Sequence, residues 1–207
     1  MKLLFTLILV YTSTFALTIN DSLLKIHATL LPKIYLMDYK YSNKFIDNSI
    51  VIAIAYNKRE YKNALSLKNK IDTKYHHNIK NHNIKTKIVL YKNIKRTKAN
   101  IYYLLPAKKR DILNTIETAR KNDALTFSYL KDDLKYGVML SVVIGEKVQP
   151  IINIDAIKME HINLRPILLK ISTIYKQSSD RLLLNYNPST TPSLITLDKI
   201  KNSKLES

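Results

Sequence analysis

The sequence predicts an α/β fold: a single domain with a central mixed, partly parallel sheet flanked by helices, ending in a β-hairpin and two helices. Three observations predict it. Short runs of near-continuous apolar and β-branched residues, SIVIAIAY at 49–56 and NIYYLL at 100–105, have the character of strands buried on both faces. They alternate with amphipathic segments, the order that builds parallel strands with helices packed over them. Beyond residue 136 the alternation stops, and two apolar strands face each other across Gly145-Glu146-Lys147.

Taken in order, Asn20-Asp21-Ser22 offers capping side chains for a first helix. Leu23, Leu24, Ile26, Leu30, Leu31, Ile34 and Tyr35 then recur near helical spacing, and Pro32 predicts a kink or a split. The strand at 49–56 leads into a helix over 57–71, with Tyr61, Ala64, Leu65 and Leu67 on one face. Residues 72–83 (DTKYHHNIKNHN) read as a polar loop or irregular edge. Residues 84–91 alternate apolar and polar, as a half-exposed strand does, and 92–98 form a basic loop. Pro106 closes the strand at 100–105. The clearest helix covers 108–122, with Ile112, Leu113, Ile116 and Ala119 along one face. A strand at 124–127 follows, and then the hairpin of 137–144 with 148–152. A short helix over 153–161 and a second over 163–176 complete the order. Pro166 falls in the first turn of the second, where proline is tolerated.

Residues 1–16 predict export. Lys2 precedes the apolar run LLFTLILV, and Thr14-Phe15-Ala16 supplies small residues for cleavage after Ala16. The run is shorter than the about 20 residues a membrane-spanning helix needs. The expected organisation is a signal peptide over 1–16, an α/β domain over 17–176 and a polar, mobile tail over 177–207. The chain has no Cys, which removes thiol catalysis, disulfide exchange and Cys-based zinc sites.

The formal net charge is +18. Such a balance invites a nucleic-acid reading, yet only six of the basic residues are Arg, and base and phosphate recognition favour the bidentate Arg fork. The lysines are dispersed among Asn, Ile and Tyr, residues that AT-rich codons encode. A solvated surface is the default reading, with no nucleic-acid partner. The alternative is attraction to an anionic envelope surface, glycan or lipid.

No residue set makes a convincing catalytic, cofactor or metal site. His76, His77 and His82 share one polar segment, but their spacing matches no standard metal site. Asp132-Asp133 is flanked by Lys131 and Lys135, which reads as an ion-paired turn rather than an acid/base pair. Glu160 and His161 are adjacent on a helix and do not face each other. Gly137 and Gly145 are the only glycines, too few for a phosphate-cradling loop. Fourteen Tyr stand beside four Phe and no Trp, with Tyr35, Tyr39 and Tyr41 clustered after the first helix and Tyr102-Tyr103 in a strand. With Lys they could grip a polymer, and half-buried strand positions explain them as well.

Several of these steps carry a likeness. Leu125-Thr126-Phe127-Ser128, then Gly137 before VMLSVVI, then Ile152-Asn153-Ile154-Asp155-Ala156, and a closing Leu168-Leu169-Lys170-Ile171 resemble the YfiR-like family of exported bacterial proteins. The likeness is strongest over 124–175. Met37-Asp38 stands where that family often has Trp-Pro, and Lys, His and Asn replace its glycines near residues 75–81. Pro150, His161 and Arg165-Pro166 also depart from it. The resemblance implies a periplasmic, non-enzymatic regulator. It would bind the periplasmic sensor part of an inner-membrane diguanylate cyclase and restrain cyclic di-GMP synthesis. It implies no cofactor and transfers no partner-contact residue, and it leaves a homodimer open.

Overall fold

The computed structural model describes residues 19–160 and 162–176. The expected signal peptide over 1–16, the expected tail over 177–207 and His161 lie outside the described residues.

The first helix, α1 (Asp21–Tyr35), starts where the capping residues place it. Asn20 Oδ1 accepts the backbone N–H groups of Ser22 at 2.8 Å and Leu23 at 3.2 Å. Leu24, Ala28, Leu31, Ile34 and Tyr35 are its buried face. Pro32 does not split it. The proline falls in the last turn, where the one bond it removes is the donor to Ala28. Its own carbonyl still accepts from Leu36 at 3.3 Å, and its ring is buried.

Eight strands form one sheet. They are β1 (Ser49–Tyr56), β2 (Asn78–Ile79), β3 (His82–Leu90), β4 (Ile101–Leu104), β5 (Leu125–Ser128), β6 (Leu140–Ile144), β7 (Val148–Asn153) and β8 (Thr173–Tyr175). Their order is β2-β3-β1-β4-β5-β6-β7-β8. The run from β3 through β6 is parallel, β2 and β7 are antiparallel to their earlier neighbours, and β8 is parallel to β7. The sheet is therefore mixed and partly parallel, as the sequence predicts.

Helices cover both faces. Alternate residues of β1 feed two cores, as the period of 2 requires. Ile50, Ile52 and Ile54 pack with α1 and with α2 (Tyr61–Tyr75) through Leu67 and Ile71. Val51, Ala53 and Ala55 pack with α3 (Lys109–Lys121) and a 3-10 turn at Tyr91–Arg96. Two short helices, α4 (Ile154–Met159) and α5 (Pro166–Ile171), follow β7. The hairpin of β6 and β7 has Val142 opposite Pro150 and Ile144 opposite Val148.

Four expectations need correction or refinement. The segment 72–83 lies at the edge of the sheet, one of its two expected forms, but is regular rather than a loop: α2 continues to Tyr75, and the edge strand β2 and β3 form a hairpin over Lys80-Asn81. His76, His77, Lys80 and Asn81 all have positive φ, between 47° and 66°, where glycine is the usual occupant. The pattern was hidden because no glycine marks the turns. Second, the helix over 163–176 stops at Ile171. Ser172 turns extended, its Oγ donates to the Leu168 carbonyl at 2.6 Å, and Thr173-Ile174-Tyr175 pairs with β7. A β-branched and aromatic triplet beside an open edge prefers the strand. Third, Leu113 is 42% exposed, and the buried face of α3 uses Thr115 and Thr118 with Ile112 and Ala119. Both threonine hydroxyls donate to the carbonyl four residues back, at 2.8 Å and 2.7 Å, so burial leaves no polar group unpaired. Fourth, Lys131–Tyr136 is a 3-10 turn, and the Asp133 side chain is buried in it with its Oδ2 accepting from Ser128 Oγ at 2.5 Å. Its hydrogen-bond partner is the Ser128 hydroxyl, and the charge of the flanking Lys135 also acts on it, as the sequence predicts.

Candidate partner-docking surface

Doubly wound sheets bind ligands where the strand order reverses, at the carboxyl ends of the strands. Here that point lies between β1 and β4, and it is filled. Asn57, just past β1, donates its Nδ2–H to the Pro106 carbonyl past β4 at 2.9 Å. Its Oδ1 accepts from the Arg59 N–H at 3.0 Å. Tyr91, 6% exposed, donates its hydroxyl to the Leu105 carbonyl at 2.5 Å. Burial raises the Tyr91 phenol well above its ordinary value, and the charges of Asp133, Asp111 and Glu60 add to the shift. The Asn57 bridge and the buried Tyr91 hydroxyl occupy the space between the two strand ends.

The open ground is at the other edge of the sheet. A groove of about 690 Å³ runs between α1 and the first half of β7. Ile26 and Leu30 form the helix side, and Val148, Pro150 and Ile171 form the strand and α5 side. Val148 is 44% exposed and Ile171 53% exposed. Ile144, opposite Val148 in the hairpin, Ile167, one turn before Ile171, and Ile174 of β8 are exposed beside it. Lys25 and Lys147 stand at the rim, and among the described residues no acidic side chain lines it.

The edge itself is guarded. β8 pairs with β7 only at Ile151, Ile152 and Asn153, and among the described residues no strand pairs with Val148, Gln149 and Pro150 on that side. The Asn153 N–H donates to the Met139 carbonyl, on the β6 side. By strand alternation the Pro150 nitrogen therefore faces the open side, where it offers no donor. An added strand would find a broken ladder there, so docking must rest on side chains.

The remaining sequence candidates among the described residues make local contacts. His77 is exposed and leans toward Asp72, with Nδ1 and Oδ1 3.8 Å apart. His82 packs instead on Phe45 and Tyr41, with ring centroids 4.9 Å and 5.6 Å away. Among the described residues no three His, Asp or Glu side chains are placed to hold a metal ion. Glu160 accepts from Arg120 Nε at 2.7 Å. Of the tyrosines singled out, Tyr35 donates to the Tyr41 carbonyl at 2.9 Å and Tyr103 meets His27 Nδ1 at 2.6 Å, whereas Tyr39 is exposed under the Arg165 guanidinium, 5.4 Å from its ring centroid. Asn122 donates to the Tyr102 hydroxyl at 2.9 Å, and burial pushes that phenol up to about 12. Met37-Asp38 links α1 to the entry of α5. The Arg165 N–H donates to the Met37 carbonyl at 2.8 Å, the Tyr39 N–H to the Asn163 carbonyl at 2.9 Å, and Lys44 pairs with Asp38 at 2.8 Å. Sequence reasoning missed the apolar groove. Its trace was the turn Gly145-Glu146-Lys147 with apolar residues on both sides, and the Ile167/Ile171 pair beside the buried Leu168.

Among the described residues no helix is long and apolar enough to cross a membrane. Curated proteins offer no match. Solved structures do. A conserved domain protein from Vibrio cholerae O1 biovar El Tor matches with a TM-score of 0.52 at 13% identity, covering 74% of this chain and 60% of its own. An ABC domain in complex with L-Trp from Streptococcus pneumonia has a TM-score of 0.46 at 11% identity, covering 69% and 60%. CD0873, a substrate binding protein with adhesive properties from Clostridium difficile, has 0.47 at 9% identity, covering 67% and 58%. The chain thus spans about 60% of the length of the first of these structures. The V. cholerae likeness bears on the fold, which is α/β in both. The model of one family, YfiR/HmsC-like (DUF4154), matches residues 43–173, from the turn before β1 into β8. Its members are periplasmic, non-enzymatic regulators of cyclic di-GMP signalling. With a match over well more than half its length, on a mixed α/β sheet, this chain belongs to the YfiR/HmsC-like family.

Proposed function

We propose that this chain is an exported, periplasmic regulator without catalytic chemistry, acting through the domain at 17–176. It binds the periplasmic sensor domain of an inner-membrane diguanylate cyclase and so restrains cyclic di-GMP synthesis. Family membership supports the class of partner. The observation that carries the docking itself is the apolar groove between α1 and β7, open at the edge of the sheet. Covering Val148 and Ile171 removes apolar surface from water, worth about 1–2 kcal/mol each when complete. Lys25 and Lys147 at the rim favour an acidic collar around an apolar anchor.

Regulation follows from differential binding. A bound protein shifts a sensor between two states only by its difference in affinity for them. A full switch from one dominant state to the other needs about 5.5 kcal/mol of preference. Val148 and Ile171 together supply about 2–4 kcal/mol of that, and only if the groove fits one state of the sensor; the remainder must come from the rest of the interface.

The test is a membrane copurification with the full chain, alongside a cyclic di-GMP reporter. The double variant Val148→Asp/Ile171→Asp is expected to fold, to lose the copurified sensor and to raise the reporter as deletion does. Retention of the sensor by that variant would place docking elsewhere. No change of the reporter on deletion would remove the signalling role.

A further inference from the structure

A second groove lies on the other side of the α1 ridge. It has a volume of about 860 Å³ and runs between α1 and α2. Lys62, Ser66, Lys70 and Lys74 stand along one face of α2, three to four residues apart or multiples of that, with Lys25 across from them on α1. From Lys62 to Lys74 the helix rises about 18 Å at 1.5 Å per residue. The trough is therefore long, with lysines at both ends and on both walls.

Its charge is one-sided. Among the described acidic residues only Asp21 reaches the groove. Asp21 bridges to Lys70 at 3.0 Å and accepts from Ser66 Oγ at 3.3 Å. The Lys70 hydrogen bond holds its carboxyl below the ordinary value. Lys62 and Lys74 are exposed and have no ion pair among the described residues. Between the lysines the surface is small and hydrogen-bonding: Thr29, Ser66, Asn69 and Thr73 around Ala28. Leu65, 38% exposed, is the one large apolar side chain.

We propose that the α1–α2 groove binds a linear acidic polysaccharide, a uronate-type glycan. Lysine ammonium groups are mobile point charges and tolerate carboxylates of irregular spacing, whereas phosphate sites favour the arginine fork. Hydroxyl and amide side chains between the charges suit the hydroxyls of a sugar chain. Leu65 offers contact to the apolar face of a pyranose ring. A bilayer would meet a flat or convex face, while these lysines line the walls of a trough. The inference does not depend on the regulatory reading, since its test substitutions, at Lys62, Thr73 and Lys74, lie on α2 outside the apolar groove.

The probe is a polygalacturonate oligomer titrated calorimetrically into the full chain at low salt and at 0.5 M salt, with anionic phosphatidylglycerol vesicles in parallel. Wild type is expected to bind the oligomer, and salt to weaken it by screening. The pair Lys62→Glu/Lys74→Glu is expected to weaken binding tenfold or more. Lys108→Glu/Lys131→Glu changes net charge equally at exposed sites outside the groove and is expected to change it less than threefold. Thr73→Trp fills the trough without altering charge and is expected to weaken binding as well, which covers the case in which the double-glutamate variant fails to fold. Equal loss in both charge-reversed pairs would overturn the proposal in favour of net charge alone. Binding to vesicles without binding to the oligomer, or no binding at all, would overturn it too.

Discussion

His27 shows how one residue can make the fold depend on pH. It is fully buried on α1, with Nδ1 2.6 Å from the Tyr103 hydroxyl. Its Nε2 has no hydrogen-bond partner among the described residues, and the ring packs edge-on against Phe127 and Tyr129. A protonated imidazole would have nowhere to place its charge, and burial lowers its pKa from 6.5 to about 3. The unfolded chain binds that proton near 6.5 and the native chain only near 3, so the unfolded state holds more protons between the two. The contribution is complete above pH 6.5 and is lost as pH falls toward 3, by up to about 1.4 kcal/mol per unit. His27→Gln keeps a group for Tyr103 and cannot titrate. Denaturation of both proteins from pH 7.5 to 4 should show a steeper loss in wild type, and parallel curves would refute the assignment. Asp133 works in the opposite sense. Burial raises its pKa above 3.8, with the Ser128 hydrogen bond opposing and Asp132 reinforcing. The protonated form is favoured by folding, so its contribution is present below the unfolded value and lost as pH rises through the folded one. Asp133→Asn should therefore match or exceed wild-type stability at pH 7 and lose that advantage below about pH 4. A variant less stable at pH 7 but equal at pH 3.5 would show that the Ser128 bond outweighs the cost of burial.

At the scale of elements, the β2–β3 hairpin illustrates strain carried by ordinary side chains. Lys80 and Asn81 have φ of 50° and 66°, the type I′ geometry that Asn-Gly adopts most readily. Lys80→Asn/Asn81→Gly supplies that pair, and the expected gain is about 1 kcal/mol. For a chain of this size that is a rise of about 2–4 °C in Tm, readable by calorimetry; a fall would mean that Lys80 makes a compensating contact. The same hairpin marks the limit of sequence reading. Strands such as β1 were legible because burial on both faces leaves an unbroken apolar run, and α1 because Asn20 caps it. The hairpin was not, since its turns carry Lys, His and Asn where glycine would announce them. Likewise β8 lay inside an apolar stretch whose spacing fits a helix. Only the vacant side of β7 decides for a strand. The docking groove was illegible for a related reason. It joins Ile26 and Leu30 to Val148 and Ile171, residues that only the tertiary fold brings together.

Across the whole molecule, α1 separates two surfaces of different character. The apolar groove faces β7 and the lysine trough faces α2, and Lys25 and Thr29 line both. A side chain that serves two sites cannot satisfy two anionic partners at full strength. Lys25 at the rim of the apolar groove would face the acidic collar of the sensor, and in the trough it would face a glycan carboxylate. The expected consequence is negative coupling between the two ligands. Thermodynamic linkage makes it reciprocal: the factor by which glycan weakens the sensor equals the factor by which the sensor weakens glycan. Coupling free energies of about 1–3 kcal/mol are typical, corresponding to about 5- to 150-fold, and one shared lysine belongs at the low end. The measurement is a pair of titrations, sensor domain into protein with and without saturating polygalacturonate, then the reverse. Lys25→Met keeps the aliphatic stem that packs on the ridge and removes the shared charge. It should weaken each ligand modestly on its own and abolish their antagonism. If antagonism survives the substitution unchanged, the two surfaces communicate through α1 itself rather than through the side chain they share.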